Sequence, residues 1–531
     1  MGKGEYDEAI LAYDEAIRLD PELAVAWYNK GSALYSQGEY EEAISAFEEA
    51  IRLNPKYANA WNNKGLALDD WGNHSEAVLA YDEAIRLDPA DSTAWYNKGN
   101  ALRNLGEYEE AILAYDEAIR LDPEHEDAWY NKAISLDDLG QYEEAILAYD
   151  EAIRLEPETA SDAWNSKGIT LGDLGQYEEA ILAYDEAIRL DPEYVDAWIN
   201  KGLLLTDQGK YEEAIRCYNE AIRLDPDFVD AWYNKGLSLY NQGKYDEAVQ
   251  ACDEVIRLDP KHVNAWFDKG VSLGMQGKLT EALKCFDEAV RLDPENTMAL
   301  LNKGLALEAL GKYDEAVQAF DEATRLDPEN AVTWYEKGCA LYKRGKYDEA
   351  VRCFGEVIRL DPENAAAWIN KGLALERQGK YDESIQAYEE AIRQDPEDAL
   401  AWYNKGVVLA DQGRYEEAIL AYDEAIRLDP ENAAAWINKG LALERQGKYD
   451  EAILAYEETI RLDPEDPLAW NNKGAYLWMK GKYDEAIQAF DEAISLDPEF
   501  AGAWFNKGVA LEALGRRSEA NAAYAKAREL E

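Results

Sequence analysis

Histidine occurs three times, methionine four times and cysteine five times in 531 residues. The histidines, His74, His125 and His262, stand 51 and 137 residues apart. Such scarcity and spacing supply neither a catalytic triad nor a zinc ligand set. Cys217, Cys252, Cys285, Cys339 and Cys353 are odd in number and include no CxxC pair. A disulfide framework is excluded on that ground, and free thiols in a reducing compartment are expected. No apolar run approaches the roughly 18 residues of a membrane-spanning helix, and the opening MGKGEYDEAI has no apolar leader segment. Basic residues are also few: 54 Lys and Arg against 109 Asp and Glu give a net charge of −55. A field of that sign repels nucleic-acid phosphates and anionic membrane surfaces. Neither nucleic acid nor membrane is an expected partner, and the expected location is cytoplasmic.

Phosphate-binding and metal motifs are missing too. Gly277-Lys278-Leu279-Thr280 breaks the GxxxxGKS/T pattern, and the acidic DPExxxAW segments lack the DxDxDG register of a calcium loop. No cofactor, metal or catalytic residue is expected, and the chain reads as a binding protein rather than an enzyme. Hydrophobic residues make up 47% of it, so the acidity belongs to a folded chain.

What is abundant is periodic. Trp27, Trp61, Trp95 and Trp129 are 34 residues apart; Trp164 follows after 35, and Trp198, Trp232 and Trp266 resume the 34-residue spacing. Leu300 takes the next slot, and Trp334, Trp368, Trp402, Trp436, Trp470 and Trp504 complete fifteen. The one extra residue lies in Glu158-Thr159-Ala160-Ser161, where an insertion between helices costs little. Fifteen of the sixteen prolines, Pro21 to Pro498, keep the same period. So do the glycines from Gly4 and Gly38 to Gly515, and those from Gly31 to Gly508 with Ala133 in one slot. Punctuation this regular marks one supersecondary unit copied many times, which absorbs a length that would otherwise suggest several domains.

One unit, Ala94 to Glu124, reads AWYNKGNALRNLGEYEEAILAYDEAIRLDPE. Its Trp, Gly, Leu, Gly, Tyr, Ala, aromatic, Ala and Pro stand at the offsets of the tetratricopeptide repeat, which the chain resembles over essentially its whole length. The YNKG and YDEAIRLDP wording is similar to prokaryotic, archaeal-type members. The resemblance implies an all-α, right-handed superhelical α-solenoid of stacked helix-turn-helix repeats, with a ligand-binding concave side.

Repeat positions are counted here with Trp27 as position 4. Positions 4, 8 and 11 fall on one stripe of a first helix, A, at about 100° per residue. The position-8 glycine admits a close neighbour, and the position-15 glycine ends the helix in the left-handed conformation. A second helix, B, is expected from about position 18 to 30; Tyr108, Ala111, Ile112, Tyr115, Ala118 and Ile119 line its apolar side. Asp116 and Arg120 are expected to pair at i,i+4, and Asp-Pro stops the helix. The repeat tryptophans and the position-24 aromatics read as core. Tyr6, Ala9 and Tyr13 align with positions 17, 20 and 24. Residues 1–20 are therefore expected to form an orphan B helix, and 21–531 fifteen tandem repeats in one continuous solenoid: 31 helices and no strand. Lys3-Gly4 aligns with Lys480-Gly481 at an A–B turn, so the chain is expected to be a fragment of, or to start late in, a longer array.

Function is sought on the A-helix stripe at positions 2, 6, 9 and 13, roughly opposite the tryptophans. Position 6 is asparagine in twelve slots: Asn29, Asn63, Asn97, Asn131, Asn200, Asn234, Asn302, Asn370, Asn404, Asn438, Asn472 and Asn506. Each amide offers a donor and an acceptor to the backbone of an extended polypeptide; the competing reading is repeat copying, since 358–383 and 426–451 are identical. Position 2 is Asp127, Asp162, Asp196 and Asp230 in four consecutive repeats, with Asp138, Asp173 and Asp207 at position 13 nearby. These acids point to a Lys/Arg-rich segment bound over residues 120–245, or else share the chain-wide acidic excess. Lysine fills all fifteen position-7 slots; its stem is expected to flank the buried stripe and its ammonium to meet helix-B acids. The carboxylate clamp of some family members needs Lys at position 5 and Asn at position 9, and only Asn100 satisfies either. Two other readings fit the same repeats: a self-assembling structural element, and the regulatory arm of a larger enzyme.

Overall fold

The computed structural model describes residues 3–530, with side chains from Tyr6 on, and every element among them is an α-helix, 31 in number. After the first helix, Lys3–Leu19, thirteen-residue A helices (Ala24–Ser36 to Ala501–Ala513) alternate with fourteen-residue B helices (Tyr40–Leu53 to Arg517–Leu530). Each B helix thus starts at position 17, one residue earlier than the apolar pattern suggests. The first helix includes Lys3 and Gly4, which the register assigns to a turn. No A helix enters it among the described residues, so no left-handed reversal is imposed there.

Elsewhere the reversal is made by glycine. Gly38 has φ +82°; its N–H donates to the Tyr35 carbonyl and the Glu39 N–H to the Leu34 carbonyl, which satisfies the last carbonyls of the A helix. No atom crowds the position a Cβ would take at Gly38, so the requirement there is conformational. Position 8 is different. A Cβ on Gly65 would lie 2.6 Å from Cε1 of Tyr81, the position-24 ring of the same repeat. Glycine here makes room for an aromatic edge.

The described residues form two compact units, 1–268 and 269–531. Within each, an A helix packs on its own B helix and on the B helix of the repeat before it. The core consists of Ala at positions 20 and 27, Leu at position 11 and the position-24 ring; Ala111, Ala118 and Tyr115 are wholly buried and Leu102 nearly so. Burying such a ring contributes about 1.5–3 kcal/mol.

The tryptophans are less deeply placed than expected. They are only partly buried, because the polar indole edge faces the inter-repeat loop. Trp334 Nε1 donates to the Pro328 carbonyl at 2.9 Å, and the same six-residue bond recurs from Trp27–Pro21 to Trp504–Pro498. Trp61 and Trp164 stand outside that series: Trp61 Nε1 is buried without a partner, and at Trp164 the inserted residue moves Pro157 one place farther away.

The expected Asp116–Arg120 pair does not form. Arg120 bonds Glu117, three residues back, at 2.7 Å, and Asp116 bonds Lys132 of the next repeat at 2.6 Å. The acid at position 25 is drawn across the boundary by an ammonium that local spacing does not reveal.

Candidate functional site

Lys132 Nζ lies 5.3 Å from the centre of the Trp129 ring while it holds Asp116. The ion pair repeats at twelve boundaries among the described residues, from Lys30–Asp14 to Lys507–Asp491, at 2.5–3.1 Å. The position-7 lysines are therefore boundary links with packed stems, as the sequence suggests.

The position-6 asparagines have a use that the sequence does not disclose. Asn63 Nδ2 donates to the Tyr28 hydroxyl at 3.0 Å, one repeat earlier, and Asn131, Asn370 and Asn438 donate likewise to Tyr96, Tyr335 and Tyr403. Asn97, Asn200 and Asn506 donate to the amide oxygens of Asn62, Asn165 and Asn471. Tyr130–Ser166 and Tyr233–Asp268 complete the pattern. Each polar residue at position 5 is bonded to position 6 of the next repeat. Where position 5 is Ile199, Ile369 or Ile437, the facing Asn234, Asn404 and Asn472 make no such bond; the Asn472 amide nitrogen is buried without a partner. Asn302 instead donates to the Met298 carbonyl of its own helix. Asn29 lies in the first A helix, with no position-5 residue before it among the described residues. Asn97 and Asn404 are 9% exposed, deeper than an open groove lining would be.

The aspartates behave otherwise. Asp127, Asp162, Asp196, Asp230, Asp138, Asp173 and Asp207 are all exposed, and none has a cation within ion-pair distance among the described residues. Other acids are occupied: position 25 by Lys, as above, and position 26 by Arg, as in Glu117–Arg120 and Glu220–Arg223. Crowding of acids is felt beside Asp127. Partial burial, with Asp127, Glu156 and Asp162 nearby, pushes the Glu126 carboxyl up to about 7. In residues 269–531 the corresponding face differs. Position 2 carries Met298, Val332, Ala366, Leu400, Ala434 and Leu468, and position 13 carries Lys343, Arg377 and Arg445 beside Asp411.

The histidines are structural. His74 Nδ1 lies 2.6 Å from Asp69, and the His125 and His262 rings lie against Tyr96 and Tyr233. Burial pushes the Cys217 and Cys353 thiols up to about 11 and Cys339 to about 12, away from thiolate chemistry. No cluster of three metal-ligating side chains occurs among the described residues, and no helix among them is long and apolar enough to cross a membrane.

A tetratricopeptide repeat model matches residues 1–58, 28–92, 62–126, 96–163, 165–215, 267–331, 335–399, 370–433, 403–467, 437–499 and 471–530. A TPR repeat model matches 202–243 and another tetratricopeptide repeat model 229–262. Among solved structures the chain is similar to YrrB, a TPR protein with an unusual peptide-binding site: 26% identity over 35% of this chain and 96% of that one, TM-score 0.33. It is similar to MamA, at 25% identity over 31% and 96% of the two chains, TM-score 0.30. It is also similar to the Cut9–Hcn1 hetero-tetramer of the APC/C, at 18% identity over 91% and 95%, TM-score 0.35. No curated protein matches it.

Proposed function

The chain belongs to the tetratricopeptide repeat family, and from that premise we propose that it is a non-catalytic protein-interaction scaffold whose A-helix face between residues 120 and 245 holds an extended, Lys/Arg-rich polypeptide segment. One observation carries this reading. The seven aspartates of that face are exposed, and none has a cation within ion-pair distance among the described residues, whereas the acids at positions 25 and 26 are held by Lys or Arg, as in Asp116–Lys132 and Glu117–Arg120. Asp127, Asp162, Asp196 and Asp230 recur once per repeat, which suits a ligand lying along the array. Asn234 has both halves of its amide uncommitted to a neighbouring repeat, and Asn200 keeps its oxygen, so these two grip ligand backbone. The stapled rungs elsewhere serve mainly to join repeats. Exposed ion pairs are individually worth about 0.2–1 kcal/mol, so affinity comes from several repeats together and weakens with salt.

The test is binding of a fluorescent peptide of alternating Lys and Ala to two variants of equal net charge. One carries Asp127, Asp162, Asp196 and Asp230→Asn; the other carries Glu109, Glu110, Glu143 and Glu178→Gln on exposed helix-B positions. The first loses binding and the second keeps it. Equal losses assign the effect to net charge and end the proposal.

A further inference from the structure

Position 25 is Asp or Glu in thirteen of the fifteen B helices that precede an A helix. The two exceptions are Asn219 and Gly355. The lysines facing them are Lys235 and Lys371, and neither has a carboxylate within ion-pair distance among the described residues. Both are partly buried, and both ammonium groups still lie over their own tryptophan, 4.8 Å from Trp232 and 4.9 Å from Trp368. Burial lowers the Lys235 ammonium, opposed only by the charge of Glu247. A half-buried ammonium without its counter-charge is costly, and the remedy used at the other boundaries is a single substitution away.

The missing acid is not excluded by space. A Cβ on Gly355 would meet nothing within 4 Å, and glycine inside the helix Tyr347–Leu360 costs about 1 kcal/mol relative to alanine. Next to each unpaired lysine is an open cavity on the helix-B side of the repeat, away from the acidic A face: about 470 Å³ at Lys235 and about 380 Å³ at Lys371. In the corresponding cavity at Lys337, Asp321 is part of the wall and bonds the lysine at 2.7 Å. That internal pair shows where a carboxylate belongs.

We propose that the boundaries at Lys235 and Lys371 are receptor notches for one carboxylate from a partner polypeptide, an Asp or Glu side chain in an otherwise apolar segment. Its oxygen takes the place that Asp321 fills at Lys337. Apolar neighbours suit the floor, formed by Trp232 and Leu239 in one notch and by Trp368 and Leu375 in the other. A polyanion is disfavoured, because Glu247, Asp253 and Glu254 line one space and Glu383, Glu389 and Glu390 the other; only a single carboxylate set against the ammonium itself is accommodated.

The experiment labels the lysines of the full chain by reductive ¹³C-methylation, which keeps their charge, and follows their resonances by NMR. Lys235→Arg and Lys371→Arg assign the two signals. The probes are end-capped Leu-Asp-Leu, its Leu-Asn-Leu analogue and acetate. The expected result is a saturable shift at Lys235 and Lys371 with the aspartyl peptide alone, and none at Lys337. Asn219→Asp and Gly355→Asp restore the internal carboxylate, leave the fold intact by the precedent of the other boundaries, and each abolish the shift at the lysine they face. Equal shifts at Lys337, shifts that survive these substitutions, or no shift at all overturn the proposal. So does an equal response to acetate, which would make the ligand a free carboxylate rather than a peptide side chain.

Discussion

The side-chain amide of Asn370 donates to the Tyr335 hydroxyl at 2.7 Å, tying one A helix to the next across a repeat boundary. A hydrogen bond of this kind contributes about 0.5–1.5 kcal/mol net. In a double-mutant cycle of Tyr335→Phe and Asn370→Ala, a coupling of about that size is expected from local hydrogen exchange. Ile437→Tyr should add the missing bond to the buried, unpartnered amide nitrogen of Asn472 and raise the protection of that boundary by a similar amount.

Glycine-to-alanine substitutions at position 8 should split by sign. Gly304→Ala sets a Cβ 2.4 Å from Phe320 Cε1, and overpacking of this kind costs about 1–3 kcal/mol. In Gly236→Ala the nearest atom is Ala251 Cβ at 3.4 Å, because position 24 of that repeat is Cys252 rather than a ring. There the gain in helix propensity, about 1 kcal/mol, should prevail. Urea unfolding of the two variants checks the contrast, and loss of stability in both would refute it.

The 34-residue tryptophan clock made the helix pairs legible, and Gly38 and its equivalents announced the A-helix ends. Periodicity says which residues share a stripe. It does not say which side chain one repeat offers the next. Asp116 looked like the partner of Arg120 because both lie on one helix; Lys132, sixteen residues on, was invisible to that local rule. Tyr28 and Asn63 are 35 residues apart and one position out of register, so neither reads as the other's partner. Position 6 is polar whether or not position 5 can accept a bond, which removes the covariation that would have exposed the staple. The acidic face at Asp127–Asp230 was legible as a pattern, but its lack of internal cations needed the structure.

Stability should also respond to pH at Glu126. Its carboxyl, raised to about 7 by burial and by neighbouring acids, binds a proton more tightly in the folded state than in the unfolded one. The cost of ionising it is full above pH 7 and is relieved as pH falls through 7 toward the ordinary glutamate range. Wild-type stability should therefore fall between pH 5 and 8 more than that of Glu126→Gln, measured by denaturant unfolding at each pH. Parallel curves would show that Glu126 ionises as an ordinary surface glutamate.

The helix Lys3–Leu19 should open first. It has no wholly buried side chain from Tyr6 on, and Leu11 and Leu19 are 69% and 70% exposed, whereas Ala43, Phe47 and Ala50 of the next B helix are fully buried. Its amides should exchange faster than those of Tyr40–Leu53 in this chain; equal protection of the two helices would contradict this.

The bond between position 6 and the preceding position 5 is present at some boundaries and absent where Ile199, Leu301, Ile369 or Ile437 occupies position 5. Pulled from its ends, such a chain is a series of links of unequal strength. Within each unit, boundaries that lack this bond should yield before the tyrosine and asparagine ones, with the position-7 lysine pair as the second link that sets the order. The molecule is in that sense a graded spring.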